Sequence, residues 1–165
     1  MKKRIIISVL LILFVAISSV NFVSAYWGAF ECEGFSIEMP EGVEVATGYS
    51  PSSPPDHVKL VTDSGSYKWD FLSTDLSEVP LENLPNHIII AENHTEDNLT
   101  IVKGQVDEGA YPPYLDGTNI TYAEFDKDGK HFYVAIDHTY RSLDEIKLND
   151  DIELVKKINE SIQVK

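Results

Sequence analysis

The chain has 165 residues, with 27 acidic against 13 Lys and Arg, a net charge of −14 at neutral pH. That balance excludes the basic footprint a nucleic acid partner requires. A single cysteine excludes an internal disulfide framework and a multi-cysteine zinc site.

Lys2, Lys3 and Arg4 precede an apolar run from Ile5 to Ile17, interrupted only by Ser8. Ser18, Ser19 and Asn21 follow, and Val23-Ser24-Ala25 offers small residues at −3 and −1. This order is an export signal with cleavage expected after Ala25. The same stretch is long enough for an uncleaved anchor, since ~20 apolar residues span a bilayer. Cleavage removes Lys2, Lys3 and Arg4 and takes the net charge from −14 to −17. The chain therefore divides into a signal or anchor, 1–25, and one exported domain, 26–165. Any membrane contact runs through an uncleaved N-terminus. The exported part lies in the medium or on the outer face of the cytoplasmic membrane.

Tyr26 to Gly34 is a short lead-in. Its Cys32 follows Gly28-Ala29-Phe30-Glu31, which is no lipobox, and Glu31 and Glu33 disfavour its thiolate. Cys32 is expected as an inert buried thiol. Phe35, Ile37 and Met39 alternate with Ser36 and Glu38 before Pro40-Glu41-Gly42, the pattern of a half-buried strand and a turn. Val43 and Val45 open a second strand.

Residues 49–56 carry three prolines, which exclude a helix interior or a central strand. Pro51 and Pro54 have P-x-x-P spacing, but a stiff surface loop explains them more simply. Val58, Leu60 and Thr62 alternate, 63–66 turn, and Tyr67, Trp69 and Phe71 alternate again. This is a hairpin whose aromatic row is expected to face the core.

Residues 80–92 are ambiguous. Asn83 offers a cap, and Leu84, Ile88 and Ala91 share one helical face. The β-branched Ile88-Ile89-Ile90 favours a strand instead. Helix is the expectation, because Asn93 to Asn98 is long for a hairpin loop. Leu99 to Val106 reads as a strand with a bulge at Gly104. Residues 110–117 read as a Pro-bearing loop, and Tyr111-Pro112-Pro113-Tyr114 lacks the spacer of a P-P-x-Y ligand.

The clearest hairpin runs from Ile120 to His138. Ile120, Tyr122 and Glu124 alternate with Thr121, Ala123 and Phe125, and residues 126–130 turn. Phe132, Val134, Ile136 and His138 share one face, with His131, Tyr133, Ala135 and Asp137 on the other. Near the end Asn149 is the expected cap of a helix. Asp150, Asp151 and Glu153 fill its first turn, Val155, Ile158 and Ile162 form its stripe, and Lys156 and Lys157 lie toward its negative end.

Phe35 to Gly42, with Ile152 to Val164 closing the chain, resembles the opening strand and the closing helix with short strand of PsbP-like domains. The Asp128-Gly129-Lys130 hairpin is similar in placement. The Pro-rich 49–56 segment and residues 80–92 depart from that pattern. The resemblance implies a PsbP-like sandwich: an α+β fold whose antiparallel sheet, built from hairpins, is covered by one or two helices including a C-terminal one. It implies no catalytic residues, and a role as an accessory protein of the envelope or of membrane complexes.

The chemistry-bearing residues point the same way. The histidines His57, His87, His94, His131 and His138 form no H-E-x-x-H motif. His131 and His138, seven apart, face opposite sides of a regular strand and cannot share an ion. His138, on the apolar face, is expected as a satisfied core histidine. Asp126-x-Asp128-Gly129 opens like a calcium loop, but Gly129 falls at position 4 and Lys130 at a ligand position. There is no G-x-S-x-G and no phosphate-binding glycine loop. No catalytic, metal or cofactor residue is therefore assigned.

Sequons occur at Asn93, Asn98, Asn119 and Asn159. The first three are the better candidates for glycosylation, because Asn159 falls in the expected helix. The expected activity is binding of an envelope protein or surface component. Its candidate surfaces are the proline-stiffened loops bearing Tyr49, Pro54, Tyr111 and Tyr114, which lose little entropy on binding. The competing readings are a hydrolase using a carboxylate pair and a domain stabilised by calcium.

Overall fold

The computed structural model describes residues 29–45, 57–62, 70–74, 84–107 and 116–165. Residues 1–28, which hold the signal and its Ala25, lie outside the described residues, as do Tyr49, Pro54, Tyr111 and Tyr114. Ten strands are described: β1 (Ala29–Glu31), β2 (Phe35–Glu38), β3 (Val43–Val45), β4 (His57–Thr62), β5 (Asp70–Ser73), β6 (Ile88–Glu96), β7 (Leu99–Val106), β8 (Asn119–Lys127), β9 (Lys130–Asp137) and β10 (Ile162–Val164). One α-helix, α1 (Leu148–Ser161), precedes β10. Among the described residues, no helix is long and apolar enough to cross a membrane.

All pairing among the described strands is antiparallel. The larger sheet has the order β3-β4-β5-β9-β8-β7-β6, and a smaller one the order β1-β2-β10. The main core lies between one face of the larger sheet, α1 and the smaller sheet. Phe125 and Phe132 pair across β8 and β9 and stack at 5.4 Å, and Phe35 of β2 meets Phe132 edge-on at 5.3 Å. Val155 and Ile158 of α1 close this core, as their helical spacing requires. The sheet's other face carries a second cluster of Leu84, Val106, Ile120, Tyr122 and Ala135. The β8–β9 hairpin thus buries both faces, each with one of the two expected alternations.

The antiparallel α+β expectation holds, with one helix on the sheet. Several local expectations do not. The lead-in contains β1, paired with β2. Residues 80–92 form no α-helix where described: a 3-10 turn, Leu84–His87, leads directly into β6. The supposed loop from Asn93 to Asn98 is mostly strand, with the turn confined to Asp97 and Asn98. Asp97 takes the left-handed conformation, φ 51°, which Asp tolerates. Three β-branched residues outweighed the helical spacing.

The bulge expected at Gly104 lies across from it instead. Ile90 pairs with Gly104 and Glu92 with Lys103, so Ala91 is the extra residue. Gly104 serves another purpose: a Cβ there would collide with the Ile89 carbonyl and come within 2.6 Å of Ile88 Cγ2. In the second hairpin, buried Val58 pairs with Leu72, and Phe71 pairs with Lys59. The side chain of Phe71 lies outside the described residues. Tyr67 and Trp69 lie outside the described residues. Helix α1 starts earlier than expected, with Lys147 rather than Asn149 at the cap. Lys127, from the hairpin, donates to the Asn159 and Glu160 carbonyls and so neutralises the C-terminal end.

Candidate functional site

Three places combine polar chemistry with a defined geometry. The first is buried where α1 meets the sheet. Thr121 Oγ1 donates to Asp151 Oδ2 at 2.6 Å, and His138 Nε2 lies 3.1 Å from the same oxygen. Thr121 Oγ1 and His138 Nε2 are 3.2 Å apart. His138 and Asp151 are each 1% exposed. The carboxylate accepts from Nε2–H, and Nδ1 has no hydrogen-bond partner among the described residues. His138 is therefore a core histidine, as expected, but satisfied on one side only.

The residue types are those of a nucleophile triad, but the geometry is not. In a relay, the imidazole uses one nitrogen for the hydroxyl and the other for the carboxylate. Here hydroxyl and carboxylate meet the same nitrogen, and all three groups are sealed from solvent. The cluster fastens the first turn of α1 to β8 and to the end of β9.

The second place is an open groove of about 580 Å³ between β6 and the start of α1. Glu92, Asn93, His94, Asp144, Lys147 and Asp150 line it, with Lys103 at its floor. The Lys103 side chain is 5% exposed. Its ammonium reaches Glu92 Oε1 at 2.5 Å and the Leu143 and Ile146 carbonyls at 3.2 and 3.0 Å. Three acceptors match its three donors. Lys103 so ties β7 to the 3-10 turn Leu143–Glu145 that leads into α1.

The third place is an apolar pocket of about 150 Å³ on the other face of the sheet, beside β6. Pro85, Ile88, Ile90, Val102 and Tyr122 line it, and Glu124 closes one end. Tyr122 Oη donates to Glu124 at 2.9 Å. Burial first, then the adjacent Glu124 carboxylate, hold the Tyr122 phenol well above its ordinary range, so it remains a donor at every physiological pH. His131 faces this carboxylate at 3.6 Å and bonds Asp126 at 2.6 Å.

The sequon asparagines fall in different settings. Asn93 is exposed on β6, and Asn98 is exposed at the β6–β7 turn, where its amide donates to the Asp126 carbonyl. Asn119 is half-buried, and its amide donates to the Arg141 carbonyl at 2.7 Å. Asn159 sits half-buried in α1. His131 and His138 do lie on opposite sides of the sheet. The residues 126–130 form a hairpin turn with Asp128 and Gly129 at φ 49° and 81°, the signature of a type I′ turn. Among the described residues, no three His, Cys, Asp or Glu side chains gather as metal ligands. Cys32 is buried.

Lys103, Thr121, Asp151 and Glu124 were not singled out by sequence. Two left a signal: Lys103 shares its strand face with Leu99 and Ile101, and Asp151 shares the helical stripe of Leu148 and Val155.

The fold class these features define is an antiparallel α+β sheet-and-helix fold. No protein-family model matches the chain, and no curated protein matches it. The PsbP-like resemblance rests on the residues quoted for it alone. Among solved structures the chain is similar to LpqN, involved in cell envelope biogenesis of Mycobacterium tuberculosis. The two are 12% identical, the match covers 84% of this chain and 90% of that one, and the TM-score is 0.39.

Proposed function

We propose that the chain is an exported, non-enzymatic binding domain of the cell envelope or surface, and that β6 is its recognition element. The N-terminal order of basic, apolar and small residues supports export. The observation that carries the binding reading is the position of β6. Among the described strands it forms one edge of the larger sheet, with the polar groove on one face and the apolar pocket on the other. The sealed Thr121–His138–Asp151 cluster supports a non-enzymatic reading, since substrate has no path to it. Among the described residues two exposed carboxylates titrate below their ordinary range. Glu96 is pulled down chiefly by the Lys156 hydrogen bond and Glu145 by the Ser142 amide, the opposite of a general acid.

A photo-reactive residue at Asn93, compared in the native host with one at Glu44 on the opposite edge strand β3, tests this. Cross-linking to one discrete envelope component from Asn93 and not from Glu44 is expected. Equal labelling from both edges, or from neither, overturns the assignment to β6.

A further inference from the structure

The outer edge of β6 shows its hydrogen-bonding phase. The Val106 N–H donates to the Thr118 carbonyl at 2.8 Å, and the Val106 carbonyl accepts from the Gly117 N–H at 2.9 Å. Both main-chain groups of Val106 therefore face away from β6. Its partner in register, Ile88, is then in a non-hydrogen-bonded pair, and the Ile88 N–H and C=O point outward. The bond from the Asp107 N–H to the His87 carbonyl, 2.9 Å, fixes the same phase one residue away. Alternation turns the main-chain groups of Ile90 outward as well. Among the described residues no strand pairs with this side of β6. The Ala91 bulge ends the straight edge beyond Ile90.

The side chains beside this short edge are apolar and exposed: Ile89 is 60% and Ile90 54% exposed. An edge this apolar lacks the lysines that natural sheets use to blunt pairing. Beyond Ile90 the pocket runs across β7 to Glu124 on β8. That carboxylate has a tyrosine hydroxyl and a histidine as neighbours, and no Lys or Arg among the described residues pairs with it. A strand added at β6 lies three spacings from β8, about 14 Å. A short aliphatic side chain falls well short of Glu124 across that span. A lysine or arginine, the longest of the side chains, lays its methylenes over Ile90 and Val102 and brings its charge nearest to the carboxylate without touching it. The chain's net charge of −14 favours the same partner.

We propose that the β6 edge at Ile88–Ile90 accepts an extended, basic peptide segment of a partner protein as an added strand, with one long basic side chain laid across the apolar pocket toward Glu124. This rests on the reading of β6 as the recognition element and supplies its mode.

The test uses the full chain purified from its host and a fluorescein-labelled hexapeptide alternating lysine and valine, followed by anisotropy and by the amide resonances of Ile88 and Ile90. Saturable binding is expected, with slowed hydrogen exchange at both amides. Methylating alternate peptide nitrogens abolishes it, and Glu124→Gln weakens it about threefold through the lost attraction across the apolar pocket. Binding that survives N-methylation, or that leaves the Ile88 and Ile90 amides unchanged, overturns the added strand. So does self-association through β6, which makes a second copy the occupant. Equal binding of a glutamate–valine peptide overturns the charge argument. If the peptide fails while the Asn93 cross-link persists, only the strand mode falls; if both fail, the reading beneath it falls too.

Discussion

Replacing Asp151 with alanine gives the largest single effect expected from the buried cluster. Its Oδ2 takes bonds from Thr121 and His138 at 2.6 and 3.1 Å, inside a core where water does not reach. Each bond to a charged acceptor contributes about 1.5–3 kcal/mol. Two offsets apply. Thr121 and His138 stand 3.2 Å apart, so they partly satisfy one another once the carboxylate is gone. Removing a buried charge also recovers its desolvation cost. The net loss is about 2–4 kcal/mol, a fall in Tm of roughly 10 °C for a chain of this size. Asp151→Asn keeps an acceptor in place and should cost about half as much. Replacing all three, Thr121→Val, His138→Leu and Asp151→Leu, should come near the parent, because apolar groups of similar size satisfy one another. Urea and thermal unfolding followed by circular dichroism read these differences. A loss below about 0.5 kcal/mol for Asp151→Ala, or a triple variant worse than that single one, refutes the view of the cluster as a fastening.

Three other outcomes follow from the same geometry. Lys103→Met strands the Leu143 and Ile146 carbonyls and should cost about 2 kcal/mol by urea unfolding. Glu92→Gln should cost less than about 1, because solvent screens that exposed partner. Equal losses would mean the ion pair, not the carbonyls, holds the turn. Gly104→Ala forces the Ile88–Ile89 backbone off β7 and should cost about 1–3 kcal/mol, with faster amide exchange along β6. Unchanged exchange contradicts the close approach. Glu96 titrates below its ordinary 4.5 because Lys156 donates to it. A depressed folded pKa gives stability that is present above the unfolded value and lost as pH falls through the folded one. A carbon-detected titration should find the Glu96 midpoint below 4.5. Lys156→Met should raise it.

The β8–β9 hairpin was legible because its turn demands residues of positive φ and its arms alternate without a break. The C-terminal helix was legible through its stripe, though its first residue was not: Asn149 is a better cap than Lys147, and tertiary packing of Leu148 decided the start. Residues 88–96 misled because a helix period and a β-branched run coexist there. Which wins depends on β7 being available to pair, a non-local fact. The site was less legible than the fold. Lys103 stands in a strand facing the core, an anomaly visible in the sequence, but its acceptors Leu143 and Ile146 lie forty residues and more away. Tyr122 and Glu124 looked like ordinary members of an alternating strand. Only the register with β7 sets them beside Ile90 and the open edge.

β6 is the surface proposed to meet a partner. Hydrogen exchange on the chain in its native complex, compared with the chain alone, measures this directly. Slowed exchange concentrated in Ile88–Glu96, with the amides around His138 and Asp151 unchanged, is the predicted result. Protection confined to β3 or to the outer face of α1, with β6 exchanging as in the unbound chain, contradicts it.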